Sequence, residues 1–204
     1  MVDFILKGGP VMIPLLLCSV LAVAIGLERI WYYAKTRSDT EDLMEEVRAS
    51  LDEGRPLEAI HFLKKQRGPV ASVLAAGLAF SDRSPSEIRE RIAQVGQEEV
   101  AKLERRLPAL DTIVSVSPLL GILGTVTGII NSFQVLSGLE GVTSPQALSA
   151  GIAEALITTA TGLIIAIPSL ALYNWLSSIV DRRILEMNRC SEELIDLLTQ
   201  KEEA

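Results

Sequence analysis

The sequence has few aromatic residues, 4% of its 204 residues, and long stretches of it lack charge altogether. No Asp, Glu, Lys or Arg occurs in three runs, Gly8–Leu27, Thr112–Leu139 and Ala155–Val180, which are 20, 28 and 26 residues long. A helix needs about 20 mostly apolar residues to cross the hydrocarbon core of a bilayer. Three such runs in so short a chain exclude a soluble enzyme and most nucleic-acid-binding proteins.

Cysteine and histidine are scarce as well. Cys18 lies in an apolar run and Cys190 in the polar C-terminal segment, so we expect no disulfide and interpret both as reduced thiols. The single histidine, His61, has no second His or Cys nearby in sequence, which favours a solvated helix face over a metal site. The net charge of −7 argues against a phosphate-binding surface. We therefore expect no metal, no cofactor, no nucleic-acid partner and no enzymatic activity.

Lysine and arginine are distributed unevenly around the three runs, and this distribution predicts the orientation of the chain. Residues 137–149 contain neither, whereas basic residues flank the opposite ends of the runs. These basic residues are Arg29, Lys35, Arg37, Lys102, Arg105, Arg106, Arg182, Arg183 and Arg189. Basic residues next to a span stay in the cytoplasm. We therefore expect the first run to be a span and not a cleaved leader, with the N-terminus outside and the C-terminus in the cytoplasm.

The predicted fold class is all-α, with three transmembrane helices and long cytoplasmic helical extensions. The expected segments are a first transmembrane helix within residues 1–34, a cytoplasmic helical domain at 35–110, a second transmembrane helix at 111–136, a short external loop at 137–149, a third transmembrane helix at 150–180 and a cytoplasmic C-terminal helix at 181–204.

Local signals predict where the cytoplasmic helices begin and end. Ser84 and Glu87 have the spacing of a capping box, with Pro85 at the first helical position. Gly54-Arg55-Pro56 and Gly68-Pro69 should divide the preceding part into short helices. After Ser84, apolar residues recur at helical spacing into the second span, with Pro108 as a candidate kink.

The second and third spans carry stripes of small residues at steps of three or four. Small residues at this spacing let helices approach closely in lipid, where no hydrophobic effect drives association. Such helices can pack within one subunit or around an oligomer, and packing alone would account for the glycines. The residues predicted to serve helix packing are Gly121, Gly124, Gly128, Gly162 and Pro168.

Packing does not account for Glu154, since a carboxylate within a span costs at least a few kcal/mol and usually faces a cavity or a partner. Ser144 and Pro145 are typical of a helix start, which places Glu154 roughly 15 Å into the third span. The alternative is that the Glu154 side chain extends to the external membrane surface and does not face a cavity or a partner. Thr158 and Thr161 share the face of Glu154 and are candidate polar lining of a pore. Thr159 lies about 140° away, so Glu154 and Thr159 cannot both point at one axis.

Two long motifs resemble the ExbB/TolQ/MotA proton-channel family, and within it the ExbB/TolQ-type biopolymer transport subunits. They are SPLLGILGTVTGIINSF at residues 117–133 and GIAEALITTATGLIIAIP at residues 151–168. The resemblance implies a pentamer in the bacterial inner membrane whose second and third spans surround the single spans of two ExbD/TolR-like subunits. It also implies a TonB- or TolA-like energy transducer as a partner. By resemblance, Thr125 and Thr159 match the family's ring of pore threonines and Glu154 its third-span glutamate.

The resemblance predicts a motor subunit in which ion flow, of H⁺ or Na⁺, drives work across the periplasm. Thr127 departs from the pattern, because ExbB and TolQ often carry Trp there, so the sequence does not choose between these branches. A non-conducting membrane scaffold is the alternative function, since it would use the same small stripes without needing Glu154 or the hydroxyls. A substrate transporter would be expected to show internal repeats and broken helices, which the sequence lacks.

Overall fold

A computed structural model describes the backbone of residues 8–138 and 145–202. Within them the chain forms seven helices and no strand, which confirms the all-α prediction. The helices are α1 (Met12–Lys35), α2 (Thr40–Asp52), α3 (Pro56–Lys65), α4 (Pro69–Leu78), α5 (Pro85–Glu104), α6 (Leu107–Gly138) and α7 (Pro145–Glu202). Pro145 is the first residue of α7, while residues 139–144 of the predicted loop at 137–149, Ser144 among them, lie outside the described residues.

Three helical stretches are long and apolar enough to cross a membrane, as the three uncharged runs predicted. They lie within Met12–Asp52, Pro85–Gln134 and Ser149–Gln200. Large apolar side chains along these stretches are exposed in the single chain, among them Leu17, Leu123 and Ile164. The only other apolar helix found in the described part of the chain is α4, which is too short to span a bilayer.

The chain divides into two compact units. The first contains Met1–Glu28 and Arg106–Trp175, and the second contains Arg29–Arg105 and Leu176–Ala204. In the first unit, Val11, which directly precedes α1, forms a cluster with Met12 and Leu15 of α1, and Leu120 and Ile165 pack against this cluster.

The second unit is built around α4. This helix is apolar on nearly every side, which is typical of a helix buried in a core, and eight of its ten residues are buried. Gly77 in α4 lies directly against Ile92 of α5 and Leu194 of α7, which leaves no room for a larger residue. The amphipathic helix α2 buries its apolar face, including Leu43 and Val47, and packs against α3.

The predicted helix boundaries in this unit are confirmed. Ser84 accepts a hydrogen bond from the backbone N–H of Glu87, and the Glu87 side chain accepts one from the backbone N–H of Ser84, which completes the capping box. Gly54 and Gly68 have φ of 73° and 146° and stand in the breaks before α3 and α4, which begin at Pro56 and Pro69.

The expected kink at Pro108 is wrong. The helix ends at Glu104, and Arg106, with φ of 71°, turns the chain before α6 begins at Leu107. Pro108 therefore stands in the first turn of a new helix, where its missing N–H costs no hydrogen bond.

The end of α5 is capped by side chains from the end of α1. Arg29 is only 3% exposed and donates to the carbonyl oxygen of Lys102 at 3.2 Å. The Tyr33 hydroxyl donates to the carbonyl oxygen of Leu103 at 2.8 Å. The last carbonyls of a helix lack partners within the helix, so these two bonds stabilise the end of α5. Sequence reasoning used Arg29 only as a signal of orientation and missed this role.

Candidate functional site

The helices α6 and α7 run antiparallel and meet at their small residues. A Cβ added at Gly162 would lie 2.6 Å from the carbonyl oxygen of Ser117, and one at Gly121 would lie 3.1 Å from the Cα of Thr159. Further along, a Cβ at Gly128 would lie 3.0 Å from the carbonyl oxygen of Gly151. Residue numbers rise on α6 as they fall on α7, which sets the antiparallel register.

All four glycines predicted for helix packing lie in this contact within a single chain. Gly124 lies directly beneath the side chain of Thr158, where a Cβ would overlap the threonine methyl group. The remaining predicted packing residue, Pro168, is exposed and stands inside α7. As a proline it has no N–H for the carbonyl oxygen four residues earlier, that of Ile164.

Thr159 connects the two helices through its hydroxyl group. The side chain is half-buried and donates a hydrogen bond to the carbonyl oxygen of Gly121 at 3.0 Å. A hydroxyl has one hydrogen to donate and two lone pairs that accept. Because the hydroxyl hydrogen of Thr159 points at Gly121, Thr159 Oγ1 can interact with another group only through its lone pairs, as a hydrogen-bond acceptor.

Thr125 has its hydroxyl hydrogen engaged within its own helix. Its Oγ1 donates to the carbonyl oxygen of Ile122 at 2.6 Å. The register places Thr125 between the Gly121–Thr159 and Gly128–Gly151 contacts, so it is within about a turn of Thr159 along the helix pair. Thr127, at the position where the chain departs from the family pattern, donates to Leu123 and Gly124 carbonyl oxygens, both at 3.1 Å.

Glu154 and Thr159 leave α7 in different directions, as the angle between their positions requires. The Glu154 carboxylate lies against Gly9, in the turn that precedes α1, whereas Thr159 faces α6.

The two candidate lining threonines are also engaged within the chain. Thr158 is fully buried and donates to the carbonyl oxygens of Gly8, at 2.9 Å, and Glu154, at 2.8 Å. Thr161 donates to the carbonyl oxygen of Ile157 at 2.8 Å.

Sequence reasoning missed the part played by Gly8 and Gly9. Both residues lie at the start of the first apolar run. The local signal that could have indicated their role is the Gly-Gly-Pro sequence directly before a predicted helix. Their contact with the third span joins residues about 150 positions apart, which no local pattern encodes.

The described residues contain no group of three or more His, Cys, Asp or Glu side chains arranged to hold a metal ion. His61 is exposed on α3, as predicted, and Cys18 and Cys190 are both free thiols. What the described site does contain is a set of hydroxyl oxygens, backbone carbonyls and one carboxylate between and beside two apolar helices.

Comparison with known proteins agrees with these features. Residues 65–189 match the model of the MotA/TolQ/ExbB proton channel family. The chain is 35% identical over 187 residues to the biopolymer transport protein ExbB-like 1 of Synechocystis sp., which covers 90% of this chain and 73% of that protein. It is 30% identical over 179 residues to the biopolymer transport protein exbB1 of Vibrio cholerae, covering 85% of this chain and 78% of the relative.

A shorter match with higher identity involves a protein of the Tol-Pal system. The chain is 52% identical over 79 residues to the protein TolQ of Haemophilus influenzae, covering 39% of this chain and 34% of that protein. The family model matches more than half of the chain, and the two ExbB-named relatives given above cover 90% and 85% of it. The chain belongs to the MotA/TolQ/ExbB proton channel family.

Proposed function

We propose that this protein is the channel-forming subunit of an ion-driven motor complex in the bacterial inner membrane, of the ExbB–ExbD or TolQ–TolR type. Ion flow down the proton motive force would be coupled to work across the periplasm, such as outer-membrane transport or envelope maintenance. The observation that carries the proposal is the pair of threonines, Thr125 and Thr159, held within about a turn of each other along two packed helices.

The hydrogen-bonding of the Thr125 and Thr159 hydroxyls leaves their oxygens able to interact with a cation or a proton donor. Both hydrogens are directed at backbone carbonyls, so each oxygen presents lone pairs. Lone pairs can accept a hydrogen bond from a protonated carboxyl or take the place of water around an ion, as polar linings of membrane pores do. We assign Thr125 and Thr159 to the route along which a partner's carboxylate loads and unloads an ion.

Glu154 is assigned to the same pathway, towards the external mouth. A carboxylate in a span is costly and is usually retained for a function. Because it leaves α7 on another side from Thr159, it would set the local electrostatic field or bond to a neighbouring helix rather than form part of the threonine ring. Thr158 and Thr161, with their hydrogens bonded within the chain, are assigned to supporting α7 beside it.

The assembly we propose is a homo-pentamer around two single-span ExbD/TolR-like subunits. Among the residues of α6 whose side chains the structure describes, seven large apolar ones remain exposed in the single chain, which supports further helices packing there. They are Leu119, Ile122, Leu123, Val126, Ile129, Ile130 and Phe133. The exposed apolar side chains of α1, such as Ile13, Val20 and Leu27, suit the lipid. A TonB- or TolA-like transducer would receive the motion.

The energy available is sufficient for such work. Moving one elementary charge across a membrane potential of about 100 mV releases about 2.3 kcal/mol, so several ions per stroke can drive a sizeable conformational change. The proposed orientation, with the N-terminus in the periplasm and the C-terminus in the cytoplasm, follows from the basic residues that flank the spans.

Reconstitution tests this proposal. The complex is purified from its native membrane through an affinity tag on this chain and placed in liposomes. Proton uptake is followed with an internal pH dye, and sodium uptake with a sodium-sensitive dye, under a potassium diffusion potential. We expect the uptake of either protons or sodium ions to exceed that of empty liposomes. Native mass spectrometry should show a pentamer of this chain. A stable monomer, or a complex with no uptake of either ion, would support the scaffold instead.

A further inference from the structure

The turn that precedes α1 lies on the third span at Glu154. Thr158, one helical turn after Glu154, donates its hydroxyl hydrogen to the carbonyl oxygen of Gly8 at 2.9 Å, and no part of Thr158 is exposed. The same hydroxyl approaches the carbonyl oxygen of Glu154 at 2.8 Å. One buried threonine thus ties the turn to the backbone of the residue that bears the carboxylate.

The carboxylate of Glu154 occupies space that only a glycine leaves open. Gly9 has φ of +68°, in the left-handed region that L side chains rarely adopt. A Cβ at this position would overlap Oε1 of Glu154 and lie 3.0 Å from its Cδ. The carboxylate therefore lies directly over the Cα of Gly9.

Gly54 shows that a glycine with a positive φ does not need to have a neighbour in the space of its missing Cβ. Gly54 has φ of +73°, almost the same as Gly9, yet a Cβ added there would meet nothing within 4 Å. At Gly54 the backbone conformation is the whole reason for glycine, whereas at Gly9 the Glu154 carboxylate is a second and independent reason.

The turn is anchored on both sides, so its position is fixed with respect to the spans. The carbonyl oxygen of Gly9 accepts the backbone N–H of Met12 at 3.2 Å, which joins the turn to the first residue of α1. Met12 and Leu15 are almost fully buried, and Leu120 of α6 and Ile165 of α7 pack against their cluster.

We propose that the Gly8–Gly9 turn is a positioning element for the Glu154 carboxylate, and that Gly9 is the residue through which it acts. The inference rests on the proposed role of Glu154 in the ion pathway. The glutamate side chain has three rotatable bonds, and the turn limits the direction in which its carboxylate points. In this proposal the Gly8–Gly9 turn not only connects to the first span but also orients the Glu154 carboxylate.

The first test replaces Gly9 by Ala and measures ion uptake by the reconstituted complex. The added Cβ must displace the carboxylate, and we expect uptake to fall roughly 10- to 100-fold, the scale on which a displacement of about 1 Å lowers enzymatic rates. Gly54→Ala is the matched control, because it imposes the same backbone strain without a neighbour, and it should retain uptake.

Double variants separate positioning from general damage. In a Glu154→Ala background, Gly9→Ala should cause no further loss, because no carboxylate remains to be displaced. Glu154→Asp shortens the side chain by one methylene, so Gly9→Ala with Glu154→Asp should conduct better than Gly9→Ala alone. A purely structural defect at Gly9 would show neither effect.

The outcomes also distinguish this inference from the proposed function. If Glu154→Gln leaves uptake unchanged, the role of Glu154 in the pathway is wrong. If Glu154→Gln impairs uptake while Gly9→Ala does not, only the positioning role is wrong. Should Gly9→Ala fail to assemble, Thr158→Val decides the matter, since it removes the bond to Gly8 without adding volume. Reduced uptake in that assembled variant, with no further loss when Thr158→Val is added to Glu154→Ala, supports the inference, and unchanged uptake in Thr158→Val alone overturns it.

Discussion

Thr159 donates its hydroxyl hydrogen to the carbonyl oxygen of Gly121 at 3.0 Å, so a residue assigned to the ion pathway also connects α6 to α7. Hydrogen bonds between membrane helices contribute on average about 0.6 kcal/mol. Loss of this bond should therefore alter stability only slightly. A large effect of a Thr159 substitution on ion uptake must then arise from the missing hydroxyl and not from unfolding.

The close approach at Gly162 predicts a strong effect on the packing of the two helices. In Gly162→Ala the new Cβ would lie 2.6 Å from the carbonyl oxygen of Ser117 and 3.2 Å from the Cα of Gly121, neither of which can rotate away. We expect a loss of about 1–3 kcal/mol, the usual cost of overpacking. Thermal unfolding in detergent, followed by circular dichroism, measures it.

Gly96→Ala is the matched control for that measurement. Gly96 also lies inside a helix, α5, but a Cβ there meets nothing within 4 Å. Alanine should therefore stabilise the protein by about 0.5–1 kcal/mol. Equal shifts of the unfolding temperature in the two variants would refute the tight packing at Gly162.

Cys190 should be an unreactive thiol. It is 3% exposed, and its burial raises the pKa of the thiol from 9.0 to about 11. At pH 8 the thiolate fraction is then about 100-fold smaller than in the unfolded chain, and the thiolate is the reactive form. In a Cys18→Ser background, alkylation by iodoacetamide, followed by mass spectrometry, should therefore be slower in the folded protein than in the denatured protein.

The same pKa shift gives a sign for the dependence of stability on pH. Because folding raises the pKa of Cys190, the folded state holds the thiol proton more tightly, and its contribution to stability is fully present below about pH 9 and lost as the pH rises towards 11. Folded protein that reacted as fast as the denatured control at pH 8 would contradict the burial of Cys190.

Single-cysteine labelling tests the proposed orientation. In a background without Cys18 and Cys190, cysteine at Ser144 should react with a membrane-impermeant maleimide added to spheroplasts. Cysteine at Asp82, whose side chain is 80% exposed between α4 and α5, should react only after the membrane is permeabilised. The reverse pattern would invert the orientation and the direction of ion flow.

The parts of the structure that the sequence predicted depend on local chemistry. Gly54 and Gly68 interrupt helices because they adopt backbone conformations that other residues avoid, and Ser84 begins one because its side chain and that of Glu87 cap it. The spacing of Gly121, Gly124 and Gly128 indicated a packing face, since steps of three and four return to one side of a helix.

The parts that the sequence did not predict depend on tertiary contact. Arg106 adopts a positive φ that no local rule assigns to arginine, so the sequence predicts a kink at Pro108 in a continuing helix and not the break before α6. The angle between Glu154 and Thr159 showed that they diverge, but only the fold supplies their partners, Gly9 and Gly121.

The most direct test of the ion pathway compares threonine-to-valine variants in the reconstituted complex. Valine keeps the shape of threonine and removes the hydroxyl, so Thr125→Val and Thr159→Val should retain the oligomer yet lose most ion uptake, and Thr→Ser at either position should restore part of it. Thr127→Val, on the same helix as Thr125, removes a hydroxyl that lies outside the proposed ring and should conduct normally. Full uptake by both Thr125→Val and Thr159→Val in intact complexes would contradict the account, since the two threonines would then serve only helix packing.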